Sequence, residues 1–554
     1  MQPSTSDWKN KLFFGDNLEI LREHVEDESV DLIYLDPPFN SNATYNVLFK
    51  ERSGAQSGAQ IAAFDDTWHW GLESQSTYFD MVTKGGKIGE LLQALYTFLG
   101  QNDMMAYLVM MAPRLVDLHR VLKPTGSIYL HCDPTASHYL KLIMDSIFGP
   151  ENFRSEITWR RTNIHNDSKG WSAVADIILY YVRNAGERFT WNPIYLEHTE
   201  HYLNSKYRHD DGDGRKYRLS DMRSPNPRHN LIYEWKGHKP HPNGWAYSME
   251  TMEKLDREGR IWYPDAKSKR PQLKRYLENT KGTLATNIWT DINPINSMAV
   301  ERLGYPTQKP EALLERILAA SSNEGDIVLD PFCGCGTAVH AAEKLHRRWI
   351  GIDITHLAIT LIKNRLRTAF GAELSLYEVV GDPKDLESAR ALGELDRYQF
   401  EWWAIGLVDA RPAQDKKKGA DKGIDGYITF FDDGSNIAKR AVVQVKSGHV
   451  NRSQIGDLNN ARQREKAEIA VFITLEVPTD PMMKEAVATG FYQPEYFPGM
   501  KVPRMQILTI GELLGGKKVK VPIASQAQLS TFKAAGKAQK SGGPQQVSMF
   551  DHQM

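Results

Sequence analysis

The residues best suited to chemistry stand at Asp36-Pro37-Pro38-Phe39, directly after the apolar run Val30–Leu35. The run predicts a buried strand, which must end at the two prolines because proline has no N–H to donate to a neighbouring strand. The turn then presents a carboxylate, the Pro37 carbonyl and an aromatic ring. Two such oxygens can accept both hydrogens of an exocyclic amine, and a ring can stack on a heterocycle. The pattern suits an adenine turned out of a duplex, although a strand ending in a proline-rich turn has the same residues.

A second pattern begins at the predicted strand Ile327–Asp330, which runs into the turn Pro-Phe-Cys-Gly-Cys-Gly-Thr at 331–337. Glycines between a strand and a helix let a ligand approach the backbone closely. An acid about 20 residues further on can accept two ribose hydroxyls, and Asp353 stands at the end of the next predicted strand. The order D-P-F-x-G-x-G differs from the G-x-G-x-x-G of dinucleotide-binding folds. A lone glycine turn would be a weak signal, and Asp353 strengthens it.

A third pattern lies near the C-terminus, where predicted strands at 423–431 and Lys439–Lys446 are neighbours. Asp425 lies in the first strand, and Gln444 and Lys446 lie two residues apart in the second. Residues two apart point to one face of a sheet. An acid, an amide oxygen and a lysine on one face can hold Mg²⁺ and orient a hydrolytic water. The alternative is a β-hairpin with exposed polar side chains.

The elements that must position these residues alternate between strand and helix. Residues 10–35 predict strand, helix and strand, residues 91–122 predict one long helix, and buried strands follow at 127–131, 157–161 and 176–182. Between 186 and 300 the periodicity is weak. Residues 201–300 contain 18 Lys and Arg against 12 Asp and Glu, interleaved with tyrosine and tryptophan. That mixture suits phosphate contact and base stacking, and it also suits a solvated, loop-rich insertion.

Composition limits the class of protein. A chain of 554 residues predicts about three to four domain-sized units. The net charge of −1 means that any nucleic-acid surface must be local. Three cysteines without a second pair predict a reducing compartment and no structural zinc site. No apolar signal segment and no run of about 18 apolar residues occurs, so the expected location is cytoplasmic, without a membrane partner.

The proline turn, the glycine turn and the acid after it resemble the amino-group DNA methyltransferases of the β arrangement, which use S-adenosylmethionine. In that family the D-P-P-F/Y turn precedes the target-recognition region and the F-x-G-x-G turn follows it. The match covers residues 10 to about 370 and keeps the order of the family's motifs. The fold implied is a Rossmann-like α/β methyltransferase sheet with an inserted target-recognition region.

The resemblance implies a role for each matched residue. Asp36-Pro37-Pro38-Phe39 would be the catalytic turn, with Asp36 and Pro37 holding the target amine and Phe39 stacking on its ring. The cofactor would be held by Asp330, Phe332, Gly334, Gly336 and Thr337 of the glycine turn, by Asp353 at the ribose, by Asp16 at the adenine, and by Thr307, Gln308 and Lys309 at the methionine carboxylate. Cytosine-N4 members more often carry Ser in place of Asp36, so adenine N6 is favoured.

The C-terminal pattern resembles the PD-(D/E)xK restriction-endonuclease fold in its Mrr-like form, D…QxK. By position, Glu401 on a preceding helix would join Asp425 and Gln444 at the metal. Gln is a weaker ligand than a carboxylate, so the domain could also be an inactive DNA-binding appendage. Near the end, Gln546-Val547-Ser548-Met549-Phe550 resembles the peptide that docks on the bacterial sliding clamp.

The resulting hypothesis is a site-specific adenine-N6 DNA methyltransferase fused to a Mg²⁺-dependent nuclease in a restriction-modification arrangement. The predicted limits are 1–185 and 301–385 for the methyltransferase halves, 186–300 for target recognition, 395–523 for the nuclease-like domain and 524–554 for a disordered tail. Alternatives are a solitary methyltransferase with an inactive appendage, and a nuclease that uses the methyltransferase fold to find sites. The expected partners are double-stranded DNA in the bacterial nucleoid and the sliding clamp, with homodimer formation left open.

Overall fold

The computed structural model describes residues 8–38, 69–162, 170–296, 299, 301–303, 305, 307–413, 423–430, 439–494 and 499–522. Phe39, the tail from residue 524 and the peptide at 546–550 lie outside these residues. The described chain divides into two units, one formed by residues 8–192 and 287–522 and the other by Pro193–Thr286. The domain limits given above, including 186–300 for the inserted region, stay predictions.

The first part of the chain alternates strands and helices, as its apolar runs predict. In chain order it forms β1 (Asn10–Phe14), α1 (Asn17–His24), β2 (Val30–Leu35), α2 (Leu72–Lys84), α3 (Gly86–Leu99), α4 (Asp103–Val121), β3 (Leu122–Cys132), α5 (Pro134–Phe148), β4 (Phe153–Arg160) and β5 (Ala175–Val182). The strand, helix and strand predicted at 10–35 are confirmed. The single helix predicted at 91–122 is wrong. Gly100, at φ 70°, ends α3, and the Asn102 side chain accepts a hydrogen bond from the Met105 N–H to begin α4.

The second unit, Pro193–Thr286, is built from short elements, in keeping with its weak periodicity. It forms β6 (Tyr195–Leu196), α6 (Glu200–Lys206), β7 (His209–Asp210), β8 (Lys216–Asp221), α7 (Met249–Arg257), β9 (Ile261–Trp262), β10 (Gln272–Tyr276) and β11 (Thr283–Leu284). Strands β7, β8, β10 and β9 pair in that order as an antiparallel sheet. Its small core contains Met222, Trp235, Trp245, Met252, Leu255, Ile261 and Leu273.

The chain then returns to the first unit and completes its large sheet. It forms β12 (Ile288–Trp289), α8 (Glu311–Ser321), β13 (Ile327–Asp330), α9 (Thr337–Lys344), β14 (Arg348–Asp353), α10 (His356–Phe370) and β15 (Tyr377–Val380). The nine strands lie in the order β12-β4-β5-β3-β2-β13-β14-β1-β15. Strand β5 is antiparallel to both of its neighbours, and the other pairs are parallel.

Helices cover both faces of this sheet, and β2 shows why its sequence is a continuous apolar run. Ile33 and Leu35 pack in the core beneath α1, α3, α4 and α5. Leu32 and Tyr34 pack on the other face, in the core that includes α8, α9 and α10. A strand buried on both faces has no polar positions to alternate with apolar ones. The predicted α/β class is confirmed.

The C-terminal part of the first unit has its own sheet. It forms α11 (Leu386–Leu395), α12 (Arg397–Leu407), β16 (Arg411–Pro412), β17 (Gly426–Phe430), β18 (Lys439–Lys446), α13 (Arg452–Arg464), β19 (Ile469–Thr474), α14 (Asp480–Ala488), β20 (Phe491–Tyr492), β21 (Val502–Pro503), β22 (Met505–Thr509) and α15 (Ile510–Leu514). Strands β16-β17-β18-β19-β22 form a mixed sheet with α12 on one face and α13 and α14 on the other. No helix within the described ranges is long and apolar enough to cross a membrane.

The two sheets of the first unit are joined through α10 and α12. The His356 N–H at the start of α10 donates to Oε1 of Gln399 at 3.1 Å, and both residues are buried. Farther along, Gly406 of α12 lies against Thr360 of α10, where a Cβ built on the glycine would stand 2.5 Å from the threonine Oγ1. The helices can pack this closely only because residue 406 has no side chain.

We expect Gly406→Ala to destabilise the protein by about 1–3 kcal/mol, because its methyl group would overlap the short, branched side chain of Thr360. Adding Thr360→Ala should recover most of the loss. Gly456→Ala in α13 is the matched control, since a Cβ at that position would have no atom within 4 Å, and helix propensity alone should stabilise it slightly. Urea and thermal unfolding measure all four proteins. Equal stability of Gly406→Ala and Gly456→Ala would contradict the close packing.

Candidate functional site

Four acids stand at the carboxyl ends of four adjacent parallel strands. Asp36 follows β2, Asp330 ends β13, Asp353 ends β14 and Asp16 follows β1. Because β2, β13, β14 and β1 are neighbours in that order and all run parallel, their carboxyl ends meet at one edge of the sheet. In open α/β sheets this edge is where ligands bind. The acids predicted from separate motifs are therefore gathered along one edge.

Asp36 is held by one oxygen and open at the other. Its Oδ2 accepts a hydrogen bond from Nζ of Lys309 at 2.5 Å, and both side chains are largely buried, at 15% and 10% exposure. Its Oδ1 is buried and has no hydrogen-bond partner among the described residues. Within the same ranges, no donor reaches the carbonyl of the adjacent Pro37. Two acceptor oxygens thus stand side by side at the sheet edge. Phe39, the predicted stacking ring, lies outside the described residues.

Lys309 is the counter-ion of this acidic edge. Burial, together with the charges of Asp36 and Asp353, raises the pKa of Asp330 well above its ordinary value, and the charge of Lys309 opposes that rise. Burial would also raise the pKa of Asp176, yet the hydrogen bond from His131 and the charges of His131 and Lys309 lower it. The structure places the ammonium group on Asp36. Its predicted contact with a methionine carboxylate stays a prediction.

The glycine turn between β13 and α9 depends on two positive φ angles. Gly334 has φ +49° and Gly336 has φ +74°, a region that favours glycine. A Cβ on Gly336 would stand 2.6 Å from Cγ1 of Ile362, so no side chain fits there. The turn is closed by Asp330, whose Oδ1 accepts from the Phe332 N–H at 3.1 Å. The result is a tight turn at the start of α9 that packs closely against Tyr305 and Ile362.

Asp353 is tied to this turn and to the next helix. Its Oδ2 accepts from the Gly334 N–H at 2.8 Å, and its Oδ1 accepts from the N–H and hydroxyl of Thr355 at 2.9 and 2.8 Å. Burial raises the pKa of Asp353 to about 6. A carboxylate offers about four acceptor positions, so three protein donors leave room for a ligand hydroxyl. The ribose role of Asp353 stays a prediction.

The remaining predicted cofactor residues make local contacts. Gln308 braces its own loop, accepting from the Leu303 N–H at 2.7 Å and donating to the Glu301 carbonyl at 2.6 Å. Thr307 is exposed. The Thr337 hydroxyl accepts from Nη1 of Arg365 at 3.1 Å. These contacts order the loop before α8 and the start of α9.

Asp16 performs two structural tasks at the end of β1. Its Oδ1 caps α1 by accepting from the Leu18 N–H at 2.7 Å, and its Oδ2 pairs with Nη2 of Arg114 at 2.6 Å. The next residue, Asn17, was not predicted from the sequence. Its Nδ2 donates to the Pro331 carbonyl at 2.8 Å and its Oδ1 accepts from Nε of Arg114 at 2.6 Å, which ties β1 to the glycine turn. The predicted contact of Asp16 with an adenine stays a prediction.

A buried hydrogen-bonded chain lies beside Asp36 and was also missed. The Tyr34 hydroxyl is 2.9 Å from Nδ1 of His131, and Nε2 of His131 is 3.1 Å from Oδ2 of Asp176. All three are at most 2% exposed. Tyr34 lies two residues before Asp36, on the same face of β2. This hydrogen-bonded chain therefore provides partners for the Tyr34 hydroxyl and for both ring nitrogens of His131, beside the proline turn. The sequence signal was a histidine in a predicted buried strand. Its partners cannot be identified until the strand order is known.

The C-terminal sheet brings Asp425 beside Gln444 and Lys446. The Asp425 N–H donates to the Val443 carbonyl at 2.8 Å, and its Oδ2 accepts from the Val445 N–H at 2.7 Å. The carboxylate thus lies against the strand segment that carries the other two residues. Oε1 of Gln444 is buried and finds no hydrogen-bond partner in the described ranges. A buried amide oxygen without a donor, next to a carboxylate, is a suitable ligand for a hard cation.

Glu401, which the resemblance implies as a third ligand, lies on α12. Its helix, α12, packs on the face of the sheet that carries Val443 and Val445, which is opposite to the face of Gln444. Oε1 of Glu401 lies 3.5 Å from Nε of Arg397. The part of the chain that the structure describes contains no group of three His, Cys, Asp or Glu that could hold a metal. The metal role of Glu401 stays a prediction.

Two family models match the chain, and they divide it as the two sheets do. Residues 30–364 match a model described as DNA methylase. Residues 392–491 match a model described as restriction endonuclease. The first match begins at β2 and ends within α10, and the second covers most of the C-terminal sheet. The resemblances stated from the motifs are confirmed.

Curated relatives come from restriction-modification systems and beyond. The type II methyltransferase M.EcaI of Enterobacter cloacae is 30% identical over 396 residues, which are 71% of this chain and 76% of the relative. The Mod subunit of the type III enzyme StyLTI of Salmonella typhimurium is 27% identical over 61% of this chain, and the match spans only half of that protein. The DNA adenine methyltransferase YhdJ of Escherichia coli is 47% identical over 83 residues, 15% of this chain and 28% of the relative.

Removing the positive charge at the acidic edge gives a test of its electrostatics. We expect Lys309→Met to lower stability by about 3 kcal/mol near pH 8, because a buried ion pair loses one partner and the remaining carboxylates repel one another. Losing the ammonium raises the pKa of the acids it balanced. A raised folded-state pKa means stability that is lost as the pH rises, so the deficit should shrink toward pH 5. Thermal unfolding from pH 5 to pH 8 measures it, with Lys309→Arg as the charge-retaining control. A deficit independent of pH would contradict this account.

Proposed function

This chain belongs to the DNA methylase family, and from that premise we propose that it transfers a methyl group from S-adenosylmethionine to N6 of adenine in double-stranded DNA. The observation that carries the proposal is the pair of open acceptors at Asp36. Its Oδ1 and the Pro37 carbonyl have no donor among the described residues, while Lys309 holds Oδ2. An exocyclic amine has two hydrogens, one for each acceptor.

The two acceptors act on the geometry and charge of the nitrogen. The lone pair of an exocyclic amine is delocalised into the ring, so the amine is a poor nucleophile. Hydrogen bonds from both amine hydrogens to Asp36 and Pro37 favour the tetrahedral nitrogen that attack requires, and the carboxylate charge stabilises the positive charge that develops there. Lys309 fixes the carboxylate, which leaves Oδ1 directed to the amine. Neither Cys333 nor Cys335 takes part, because burial raises the pKa of both thiols.

The glycine turn fits the cofactor's nucleoside. S-adenosylmethionine, when bound, supplies a methyl group on a sulfonium for transfer to the amine. The left-handed glycines at 334 and 336 allow a tight turn at the sheet edge, and we propose that Asp353 beside them accepts from a ribose hydroxyl. We propose that Asp330, Phe332 and Thr337 shape this cradle, and that Thr307 and Gln308 close it at the methionine end. We propose the same cofactor contact for Lys309, in addition to its observed ion pair with Asp36.

The alternative acceptor is N4 of cytosine, which also carries two hydrogens. Asp36 favours adenine because cytosine-N4 members more often carry Ser at this position. The similarity to the relative named a DNA adenine methyltransferase supports the same choice. The base methylated is identified directly by mass spectrometry of nucleosides from treated DNA.

We propose that the C-terminal domain, which matches the restriction endonuclease family, is a Mg²⁺-dependent nuclease that cuts DNA lacking the chain's own methylation. The buried, partnerless Oε1 of Gln444 beside the Asp425 carboxylate is a site that a hard cation would fill. Lys446, two residues on, is placed to orient water or to stabilise the charge of the pentacovalent phosphate. In the competing proposal, Gln444 marks an inactive site and the domain only binds DNA.

Partners and location are proposed from the sequence alone. Gln546-Val547-Ser548-Met549-Phe550, outside the described residues, would dock on a sliding clamp and so bring the methyltransferase to newly copied DNA. A homodimer and a place in the bacterial nucleoid are proposed on the same basis. A titration of clamp against the full chain, with Gln546→Ala and Phe550→Ala as controls, tests the first of these.

Replacing the residue that faces the base should separate catalysis from cofactor binding. We expect Asp36→Ala to reduce kcat for methylation by about 1,000-fold or more, because the amine loses its charged acceptor. The affinity for S-adenosylmethionine should stay near that of the wild type. Asp353→Ala is the reverse control and should weaken cofactor binding. Calorimetry and single-turnover methylation provide the two readouts. Near-normal methylation turnover by Asp36→Ala would contradict the assignment of Asp36 to the base pocket.

The nuclease proposal makes a separate prediction. The wild type should cut unmethylated DNA in Mg²⁺ and spare DNA that it has methylated. Asp425→Ala should lose metal binding and cleavage together, whereas Lys446→Ala should lose cleavage and keep the metal. Both variants should methylate normally, because the two sites lie on different sheets. Gel assays on the two forms of DNA measure this. Binding without Mg²⁺- or Mn²⁺-dependent cleavage in any methylation state would favour the inactive appendage.

A further inference from the structure

The second unit carries an unusual tight turn at its surface. Trp235 and His238 exchange backbone hydrogen bonds of 3.0 and 2.9 Å, which leaves Lys236 and Gly237 as the two residues of a hairpin turn. Lys236 has φ +47° and Gly237 has φ +81°. Such turns need positive φ at both central positions and usually take Asn, Asp or Gly there. A lysine in this conformation costs about 1 kcal/mol. A strained residue at a turn tip is a reason to look for a function.

A second loop, residues 266–270, lies directly against this turn. The buried His238 ring contacts the Lys269 carbonyl through Nδ1 at 2.7 Å, and Nζ of Lys267 donates to the Lys236 carbonyl at 3.0 Å. The turn is anchored below by Trp235, whose Nε1 donates to the Tyr263 hydroxyl at 3.0 Å. We call residues 235–239 and 266–270 together the basic double loop. Its backbone is fixed by contacts on several sides.

Cations outnumber acids on this surface, which the exposed Glu234 and Asp265 adjoin. The basic double loop contains the exposed Lys236, Lys239, Lys267, Lys269 and Arg270 and no Asp or Glu. Lys236 pairs with Asp256 of α7. Of the other four, none has an ion-pair partner within the part of the chain that the structure describes. Four exposed cations on a rigid backbone in a chain of net charge −1 form a local positive surface.

We propose that the basic double loop binds the phosphate backbone of DNA. This rests on the proposed function, in which DNA is the substrate. The rings of Trp235 and Tyr263 make contacts within the protein: Trp235 is 7% exposed, and Nζ of Lys236 lies 5.8 and 5.5 Å from the two ring centroids, so neither ring is presented for base stacking. Among the described residues of the basic double loop, no large apolar side chain is exposed for a lipid surface. Cations alone recognise phosphate without regard to sequence. The surface therefore contributes affinity and position, and the choice of site lies with other residues.

The test compares two triple variants of the full chain. Lys239→Ala/Lys269→Ala/Arg270→Ala removes three cations of the basic double loop. Lys206→Ala/Lys216→Ala/Lys254→Ala is the matched control, because it removes the same charge from exposed positions of the same unit. Fluorescence anisotropy over a salt series gives the slope of log Kd against log salt. In the loop variant, the magnitude of that slope should fall by roughly two to three. The variant should also bind DNA roughly 10-fold to 100-fold more weakly at fixed salt.

Methylation gives an independent readout. For the loop variant, KM for DNA should rise while kcat at saturating DNA, the affinity for S-adenosylmethionine and the methylated sequence stay unchanged. The charge-retaining variant Lys239→Arg/Lys269→Arg should keep the wild-type slope, and thermal unfolding should show all variants folded. An unchanged slope in the loop variant, equal losses in loop and control variants, or an altered methylated sequence would each overturn the proposal. A wild type that binds DNA through this surface and yet transfers no methyl group would overturn the proposed function alone.

Discussion

The buried ion pair between Lys309 and Asp36 is the interaction on which the methyltransferase edge depends. Four carboxylates stand at one sheet edge, and burial, with a smaller contribution from the charges of Asp36 and Asp353, raises the pKa of Asp330 well above its ordinary value. Arg114 pairs with Asp16, and the ammonium group of Lys309, from the segment before α8, pairs with Asp36 and opposes the rise at Asp330. Because Lys309 contacts Oδ2, the other carboxylate oxygen, Oδ1, stays without a hydrogen-bond partner among the described residues. One contact therefore both balances the charge of this carboxylate and fixes its orientation.

The strand order explains how residues so distant in sequence form one site. Strand β2 pairs with β13, which follows it by almost 300 residues, and β1 pairs with β14. The second unit is inserted between the two halves, so its length does not disturb the register of the sheet. Asn17 holds the β1 end to the Pro331 turn, and this hydrogen bond spans a similar distance in sequence. The proline turn at Asp36 and the glycine turn are thus fixed by strand pairing that the local sequence does not reveal.

The sequence predicted the helices and strands more accurately than it predicted the contacts between their side chains. Apolar runs located β2, β13 and β14 because strands buried on both faces have an unambiguous pattern. The break between α3 and α4 was missed because the apolar spacing continues across Gly100 and Asn102, and only the turn chemistry interrupts it. The partner of Lys309 was not predictable, since it lies 273 residues away and motif matching assigns roles one residue at a time. The placement of Glu401 depends on which face of the sheet its helix covers, a property of the assembled domain.

The joint between α10 and α12 has a consequence for how such fusions arise. The Thr355 hydroxyl donates to Asp353, and the same oxygen caps α10. The N–H of His356, the first residue of that helix, donates to Gln399 of the C-terminal domain. A glycine at 406 then lets the two helices touch. If domains were exchanged between genes at this boundary, the contact faces of α10 and α12 would have to be transferred together. An ancestor that gained this C-terminal domain by recombination would have needed matching changes on both sides before α10 and α12 could pack in direct contact.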